Sequence, residues 1–367
     1  MKKILIIANH DVNLYNQRKE LINKLIYLGY EIHIAVPRGT RTEKLKKIGI
    51  LYHEVFLNRH GKNLLEDFGL YRQFRKIIAI VQPAVILTYS IKPNIYGSFA
   101  AKKYKIPVLA NVTGLGTPVE NKSLLQPFVI WLYQQAFKMI DVAFFQNKEN
   151  LLFFKNRHTK FKQTVLLAGS GVNLTEYQIL PYPNEEDGIH FVFISRIMRE
   201  KGADEYFEAA KRIKAKYPEI IFHVCGFCEA GYQSVVERLH QEGTIIYHGL
   251  LNDIREILKI THCTVHPTFY PEGMSNVLLE SAAAARPIIT TNRSGTRETI
   301  IDGLTGFIVK SEDVDDLVFQ LEKFIKLNHQ AKVEMGLAGR KYIEKKFDRQ
   351  QIIDSYLEKI EELIQHI

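Results

Sequence analysis

The chain is 367 residues long, 46% hydrophobic, with 49 Lys+Arg against 40 Asp+Glu and a formal net charge of +9. That apolar content supplies two ordinary cores and excludes a disordered chain. Three cysteines, Cys225, Cys228 and Cys263, leave one unpaired in any disulfide scheme, which excludes a disulfide scaffold and fits a reducing compartment.

Met1-Lys2-Lys3 precedes only the apolar run Ile4 to Ala8, ended by Asn9-His10-Asp11 and too short for a signal-peptide core. No uncharged apolar stretch reaches the roughly 18 residues that a bilayer span needs. A cytoplasmic protein is expected. The charge is divided: residues 1–170 hold 26 Lys+Arg against 10 Asp+Glu, or +16, and residues 171–367 hold 23 against 30, or −7. Two domains with different partners follow. Anionic lipid head groups or a diphosphate-linked acceptor suit the basic half, which otherwise reads as a solvated basic face. No recognised nucleic-acid motif accompanies it, so nucleic acid is not expected.

The first half alternates short aliphatic strands with amphipathic helices. Strands are predicted at Lys3–Ala8, Glu31–Val36, Val85–Thr88, Pro107–Val112, Val142–Gln146 and Thr164–Leu167, with helices such as Gln17–Leu28 and Gly69–Val81 between them. The stretch Leu124–Ile140 carries Phe128, Trp131, Tyr133, Phe137 and Met139 at helical spacing. Core packing is the plain reading of it, and an interfacial helix the other. A polar, proline-bearing linker, Glu176 to Gly188, separates this half from the next. Strands then recur at His190–Ile194, Ile220–Cys225, Thr244–Tyr247, Thr264–His266 and Pro287–Thr290. The last helix, roughly Gln350 to Gln365, places Ile352, Ile353, Tyr356, Leu357, Ile360 and Leu363 on one face. It packs on the second domain in the plain reading, or crosses back to close the first. The fold class is α/β, with two tandem Rossmann-like domains (1–170 and 171–347, then the helix 348–367) facing a cleft. Ligands of such sheets bind beyond the carboxyl ends of the strands.

The chemistry concentrates where the second half turns from strand to helix. His266 to Pro287 reads HPTFYPEGMSNVLLESAAAARP, with Glu272 and Glu280 eight positions apart. Gly and Pro punctuate the loop, Asn276 is a plausible N-cap, and an apolar helix follows. Glu272 and the amides of Gly273, Met274, Ser275 and Asn276 therefore stand at a helix N-terminus, where partial positive charge collects. Glu280 lies about one turn further on. A second cluster, Ser195-Arg196-Ile197-Met198-Arg199-Glu200-Lys201-Gly202, directly follows a strand. Alone, Arg196 and Lys201 read as solvated loop cations; beside the glutamate pair they match a leaving diphosphate.

These motifs resemble the family 4 retaining glycosyltransferases, of GT-B architecture. The resemblance rests on Glu272-x7-Glu280, Phe193-Ile-Ser-Arg-Ile…Lys201-Gly202, Gly169-Ser-Gly-Val-Asn173, Tyr247-His-Gly249…Asp253, Arg286-Pro287 and Gly295…Glu298…Asp302-Gly303…Gly306, in the family's order. It implies that Arg196 and Lys201 bind the donor diphosphate, that Glu280 holds the ribose hydroxyls, and that Glu272 lies by the transferred sugar with the amides of Gly273 to Asn276. Leu250 and Leu251 fall near the nucleobase. Arg196, Lys201 and Glu272 are the implied catalytic group. Ser195 replaces a family glycine, Ala285 stands where the family usually has glycine, and Asn276 where proline is common. Asn9 to Asn16 carries none of the glycines many members have there, and Asn111-Val-Thr-Gly-Leu-Gly116 replaces a loop that often holds a histidine. The loops Asn9–Arg18, Thr88–Gly97 and Thr113–Thr117 are similar to the branch that adds hexoses or N-acetylhexosamines, often from UDP-sugars, to polyprenyl-diphosphate-linked saccharides for surface polysaccharides. Asn9, His10, Arg18, Lys92, Thr113 and Gly114 are the acceptor-side candidates. No cofactor is implied.

Two other patterns read as structural. Cys225-Gly-Phe-Cys228 lacks the second pair that structural zinc needs. Asp313-Val-Asp315 follows Ser311 at a helix start, where acidic residues are ordinary, so no metal is expected on the diphosphate. The competing functions are a nucleotide-sugar epimerase on the same fold and a non-catalytic sugar-nucleotide-binding partner of another glycosyltransferase.

Overall fold

A computed structural model describes all residues except 59–62, 117, 118, 120–125, 366 and 367. Thr117 and the start of the Leu124–Ile140 stretch lie outside the described residues. Tertiary contacts divide the chain into two units, Met1–Ser170 with Gln350–Ile367, and Gly171–Arg349.

The first unit is built on a seven-stranded parallel sheet of order β3-β2-β1-β4-β5-β6-β7, with β1 Lys3–Ile7, β2 Glu31–Val36, β3 Leu51–Glu54, β4 Val85–Tyr89, β5 Val108–Val112, β6 Val142–Phe145 and β7 Gln163–Leu166. The central strands are continuous aliphatic runs because helices cover both faces. β4 and β5 are buried at every residue. β3 was not expected, since Leu51-Tyr-His-Glu is a half-exposed edge strand with no aliphatic run. The helices are α1 Asp11–Tyr27, α2 Thr42–Lys46, α3 Leu64–Val81, α4 Ser98–Lys102 (after a π-helical turn at Pro93–Gly97), α5 Gln126–Phe137 and α6 Lys148–Lys155. α1 begins six residues before the predicted Gln17, because the His10 side chain caps it by accepting from the Val12 amide at 3.1 Å. Residues 11–16, expected as a loop, are therefore helical.

The second unit carries a six-stranded parallel sheet of order β10-β9-β8-β11-β12-β13, with β8 His190–Ile194, β9 Ile221–Cys225, β10 Ile246–Tyr247, β11 Cys263–His266, β12 Ile288–Thr291 and β13 Gly306–Val309. β13, Gly306-Phe-Ile-Val, was missed at sequence level. Its helices are α7 Ala203–Lys216, α8 Gln233–Gln241, α9 Arg255–Ile260, α10 Asn276–Ala283, α11 Val314–Ile325 and α12 His329–Lys346. Asp313 caps α11 by accepting from the Asp316 amide, with Asp315 in the first turn, the ordinary helix-start role expected of this pair. The linker segment is held down within this unit. Arg286, fully buried, donates to the carbonyls of Leu180, Pro181, Leu258 and Ala284. Lys332, also fully buried, pairs with Glu185 at 2.8 Å.

α13, Arg349–Gln365, packs on the first unit. Ile352, Ile353, Tyr356, Ile360 and Ile364 join Leu21, Leu25, Leu109 and Phe144 in one buried cluster. The expectation that it packs on the second domain is thus corrected: its apolar face fills the α1 side of the first sheet. Among the described residues no helix is long and apolar enough to cross a membrane.

Candidate active site

The site in the second unit is made by three neighbouring connections at the carboxyl ends of β8, β11 and β12. Backbone contact at glycines sets their spacing. Gly202 has φ +78°, and a Cβ there would lie 2.2 Å from the Pro267 carbonyl oxygen. Phe269 donates its amide to the Glu200 carbonyl at 3.0 Å, and Thr268 its hydroxyl to the same oxygen at 3.1 Å. The loop after β8 is therefore laced to the loop after β11, which carries Lys201 to Glu272, where ammonium and carboxylate form a salt bridge. Both side chains are mostly buried, at 9% and 17% exposure.

Tyr270 organises the cations. Its ring has the Lys201 ammonium 4.6 Å and the Arg196 guanidinium 5.3 Å from its centre. Arg196 also reaches Glu229 at 3.3 Å. An aromatic face under two cations offsets part of their desolvation and fixes their direction. Sequence reasoning quoted Tyr270 within its loop but gave it no role; an aromatic residue two before the first glutamate is the signal that was there.

The helix N-terminus differs in detail from the expectation. Ser275, not Asn276, occupies the N-cap position of α10, and Asn276 is the first helical residue. The Ser275 amide donates to the Gly295 carbonyl at 2.8 Å, so it is committed within the protein rather than open to a ligand. Gly295 itself has φ +88°, and a Cβ there would lie 2.8 Å from the Glu272 Cβ and 2.9 Å from the Gly273 carbonyl oxygen. Its amide is in turn held by Glu298 at 2.7 Å. The turn after β12 is thus the support on which Glu272 and Gly273 rest. Met274 is buried.

Glu280 lies one turn into α10, partly buried. Burial pushes its carboxyl up to about 7, against the opposing charge of Arg349. A carboxyl poised there still accepts hydrogen bonds once ionised, as ribose hydroxyls require. Leu250 is 74% exposed and Leu251 packs against the cluster around Val192 and Leu258. Beneath the loop, His266 is buried, and among the described residues neither ring nitrogen has a partner. Burial and the neighbouring Lys201 hold its pKa well below the ordinary value, so a neutral imidazole sits under the cations.

In the first unit, Asn9, Thr113 and Gly114 follow the carboxyl ends of β1 and β5, which flank β4 in the sheet. Asn9 accepts from the Ser90 hydroxyl just after β4 at 3.0 Å. His10 adjoins them as the cap of α1. Arg18 departs from its expected place: it is 4% exposed, stacked at 5.0 Å on Tyr89 and 5.5 Å on Tyr356, because α1 turns it into the core. Lys92 pairs with Asp67 on α3 at 2.7 Å.

The description "Glycosyl transferases group 1" matches residues 179–342, and "Glycosyl transferase 4-like" matches residues 3–147. The chain is 26% identical over its whole length to the N,N'-diacetylbacillosaminyl-diphospho-undecaprenol alpha-1,3-N-acetylgalactosaminyltransferase of Campylobacter jejuni, covering 100% of that protein. It is 22% identical to the UDP-Gal:alpha-D-GlcNAc-diphosphoundecaprenol alpha-1,3-galactosyltransferase of Escherichia coli, over 70% of each chain. The fold is shared with HepE of Anabaena, solved with UDP and glucose, at a TM-score of 0.81 and 15% identity over 99% of this chain and 100% of that one. Nothing in these likenesses points to an epimerase. On these matches to both halves, the chain belongs to the group 1, family-4-like glycosyltransferases.

Proposed function

We propose that the protein transfers a hexose or N-acetylhexosamine from a UDP-sugar to a hydroxyl of a polyprenyl-diphosphate-linked saccharide in surface polysaccharide synthesis. The observation that carries the reading is the convergence of Arg196, Lys201 and Glu272 around Tyr270 at the N-terminus of α10, with Glu280 one turn on. Two similar proteins are named for diphospho-undecaprenol acceptors, and one of them for a UDP donor.

Arg196 and Lys201 hold the donor diphosphate in this reading. As the sugar–oxygen bond breaks, negative charge grows on the leaving phosphate, and two fixed cations stabilise that state more than the ground state. Lys201 reaches the phosphate by exchanging its Glu272 partner, which leaves the carboxylate facing the sugar. Glu280 accepts from the ribose hydroxyls. The anomeric configuration is retained: the acceptor hydroxyl attacks on the face the diphosphate leaves, and the leaving phosphate oxygen takes its proton. No metal takes part, the two cations filling that role. The protein works in the cytoplasm as a peripheral protein, drawn to anionic lipid by the +16 balance of residues 1–170.

Thermal unfolding with UDP, GDP, ADP and CDP tests the donor half. UDP at about 100 times its dissociation constant adds about 2.7 kcal/mol of stability, and Glu280→Ala abolishes the shift. Incubation of the responding donor with undecaprenyl-diphosphate saccharides, with anomeric assignment of the product by NMR and EDTA present, tests acceptor, stereochemistry and metal independence. Binding without transfer across that panel would instead support a non-catalytic partner.

A further inference from the structure

Near their carboxyl ends β4 and β5 break their aliphatic runs, with Thr88 in one and Asn111 in the other. Both are buried, and so is Asn94 of the π-helical turn. The three form a ring of hydrogen bonds. The Thr88 hydroxyl donates to Asn94 Oδ1 at 2.8 Å, the Asn94 side-chain nitrogen to the Asn111 carbonyl at 2.8 Å, and the Asn111 side-chain nitrogen to the Thr88 carbonyl at 3.2 Å. Asn111 Oδ1 then accepts from the Tyr356 hydroxyl, 245 residues further along the chain in α13 and 1% exposed.

Apolar side chains would fill this place without the desolvation that buried amides cost. Hydrogen bonds add direction, and the neighbouring backbone is irregular enough to need it. Ser90, the residue after β4, has φ +78°, in the left-handed region that a side chain disfavours. Its carbonyl accepts from the Asn94 amide at 2.9 Å. The π-helical turn Pro93–Gly97 comes next. Such turns and strained residues persist where the surroundings fix them, and they gather at functional sites. From Ser90 the network continues to Asn9 through the hydroxyl bond at 3.0 Å, and Asn111 lies two residues before Thr113. One set of buried hydrogen bonds therefore runs from α13 to the connections after β1, β4 and β5, where ligands of such a sheet lie.

We propose that Tyr356 is a positioning residue for the transfer: its hydroxyl, acting through Asn111, Asn94 and Thr88, sets the loops that follow β4 and β5. The inference rests on the reading that the acceptor saccharide meets these loops. It gives α13 a part in the reaction besides filling the core of the first unit. Tyr356 is buried and meets no substrate itself, so its effect is carried by the geometry of residues 90–97 and 112–116.

Tyr356→Phe keeps the ring that packs on Arg18 and Phe144 and removes only the hydroxyl. Phe144→Leu, at a ring 4.8 Å from that of Tyr356, is the control for lost packing alone. Hydrogen exchange read by mass spectrometry on the full chain should show residues 90–97 and 112–116 exchanging about fivefold faster in Tyr356→Phe, the worth of one hydrogen bond. Phe144→Leu should lower the unfolding temperature without singling out those residues. Thr88→Val, which removes the bond to Asn94, should act as Tyr356→Phe does. In initial rates with the UDP-sugar that the wild type uses and undecaprenyl-diphosphate saccharides, Tyr356→Phe should raise KM for the acceptor about fivefold. KM for the donor and the UDP thermal shift should stay as in the wild type. Loops that loosen equally in Phe144→Leu overturn the proposal, and so does a donor KM that rises with the acceptor KM. Loosened loops with unchanged acceptor kinetics overturn it too, and take these loops out of the acceptor's path while leaving transfer itself standing. Absence of transfer by the wild type across the acceptor panel instead removes the acceptor reading on which the proposal stands.

Discussion

Lys201 and Glu272, seventy-one residues apart in the chain, form a salt bridge inside the proposed donor site. In the proposed reaction, the cation that meets the phosphate is kept in a carboxylate's grip until the phosphate arrives. The pair prevents an uncompensated buried ammonium in the empty protein, and it makes substrate binding an exchange of partners.

Removing that cation removes a transition-state interaction. Lys201→Ala should lower turnover at least about tenfold, some 1.4 kcal/mol, with the fold retained in circular dichroism. Tyr270→Leu should act in the same direction and more weakly, raising KM for the donor, since the ring directs Lys201 and Arg196 but meets no phosphate. Wild-type steady-state kinetics from Lys201→Ala would remove the diphosphate from this place.

Glu280 gives the proposed donor site a pH dependence. Its carboxyl, pushed up to about 7 by burial, is largely protonated at pH 6 and ionised at pH 8. UDP affinity measured by calorimetry should rise over that interval, and Glu280→Gln should bind UDP at least about tenfold more weakly with a flat profile. The stability of the empty protein runs the opposite way. A carboxyl raised from its unfolded value favours folding most at low pH, and that contribution is lost as pH climbs through 7.

A row of imidazoles in the second unit opposes this at the acid end. His223 lies 3.0 Å from His190 and 2.9 Å from His248, ring nitrogen to ring nitrogen. Each neutral ring supplies one donor and one acceptor, so the row is satisfied only uncharged. Burial and the flanking His190 and His248 push His223 down to about 3, and burial holds His262, which accepts from the His190 amide, at about 4. Groups depressed below their unfolded value contribute stability above pH 6.5 and lose it as pH falls. Unfolding temperature should therefore drop from pH 6.5 toward 4, and His223→Gln should flatten that slope whatever it does to the value at pH 8.

Ala285 is the position where the resemblance expects glycine, and the backbone shows why. Its φ is +59°, in the left-handed region that closes α10, which costs a residue with a Cβ about 1–2 kcal/mol. Ala285→Gly relieves that strain but frees the unfolded chain. The net expectation is a gain of about 0.5 kcal/mol, read by urea denaturation. Gly295→Ala goes the other way, since its Cβ meets the Glu272 Cβ at 2.8 Å. It should reduce donor affinity more than it reduces stability.

Much of this was legible in the sequence, because the residues concerned sit in short, glycine-punctuated turns after aliphatic strands. Arg196, Lys201, Glu272 and Glu280 stand out through the family resemblance and their place after aliphatic strands, and the structure pairs Lys201 with Glu272; the central strands stand out by unbroken Val/Ile runs. What escaped depends on distance along the chain. The carbonyl that claims the Ser275 amide belongs to Gly295, and the wall that buries Arg18 includes Tyr356. β3 escaped because an edge strand needs no apolar alternation, and the start of α1 because its cap is a histidine. The period of Phe128, Trp131, Tyr133 and Phe137 fits either core packing or an interfacial helix, because it reports that a helix is apolar and not what covers it; Tyr133 and Phe137 are core, while Phe128 and Trp131 stay exposed.

The helix α13 also sets an order on how the molecule comes into being. The first unit is synthesised first, but Ile352, Tyr356 and Ile360 are among its buried residues. Its amino-terminal part leaves the ribosome with an apolar face open, and must wait while the second unit is made and folds. The unit begun first is finished last. A truncation of some twenty residues at the carboxyl end therefore damages the opposite end of the sequence, and a nascent chain stalled before Arg349 should need a chaperone for the half it made first.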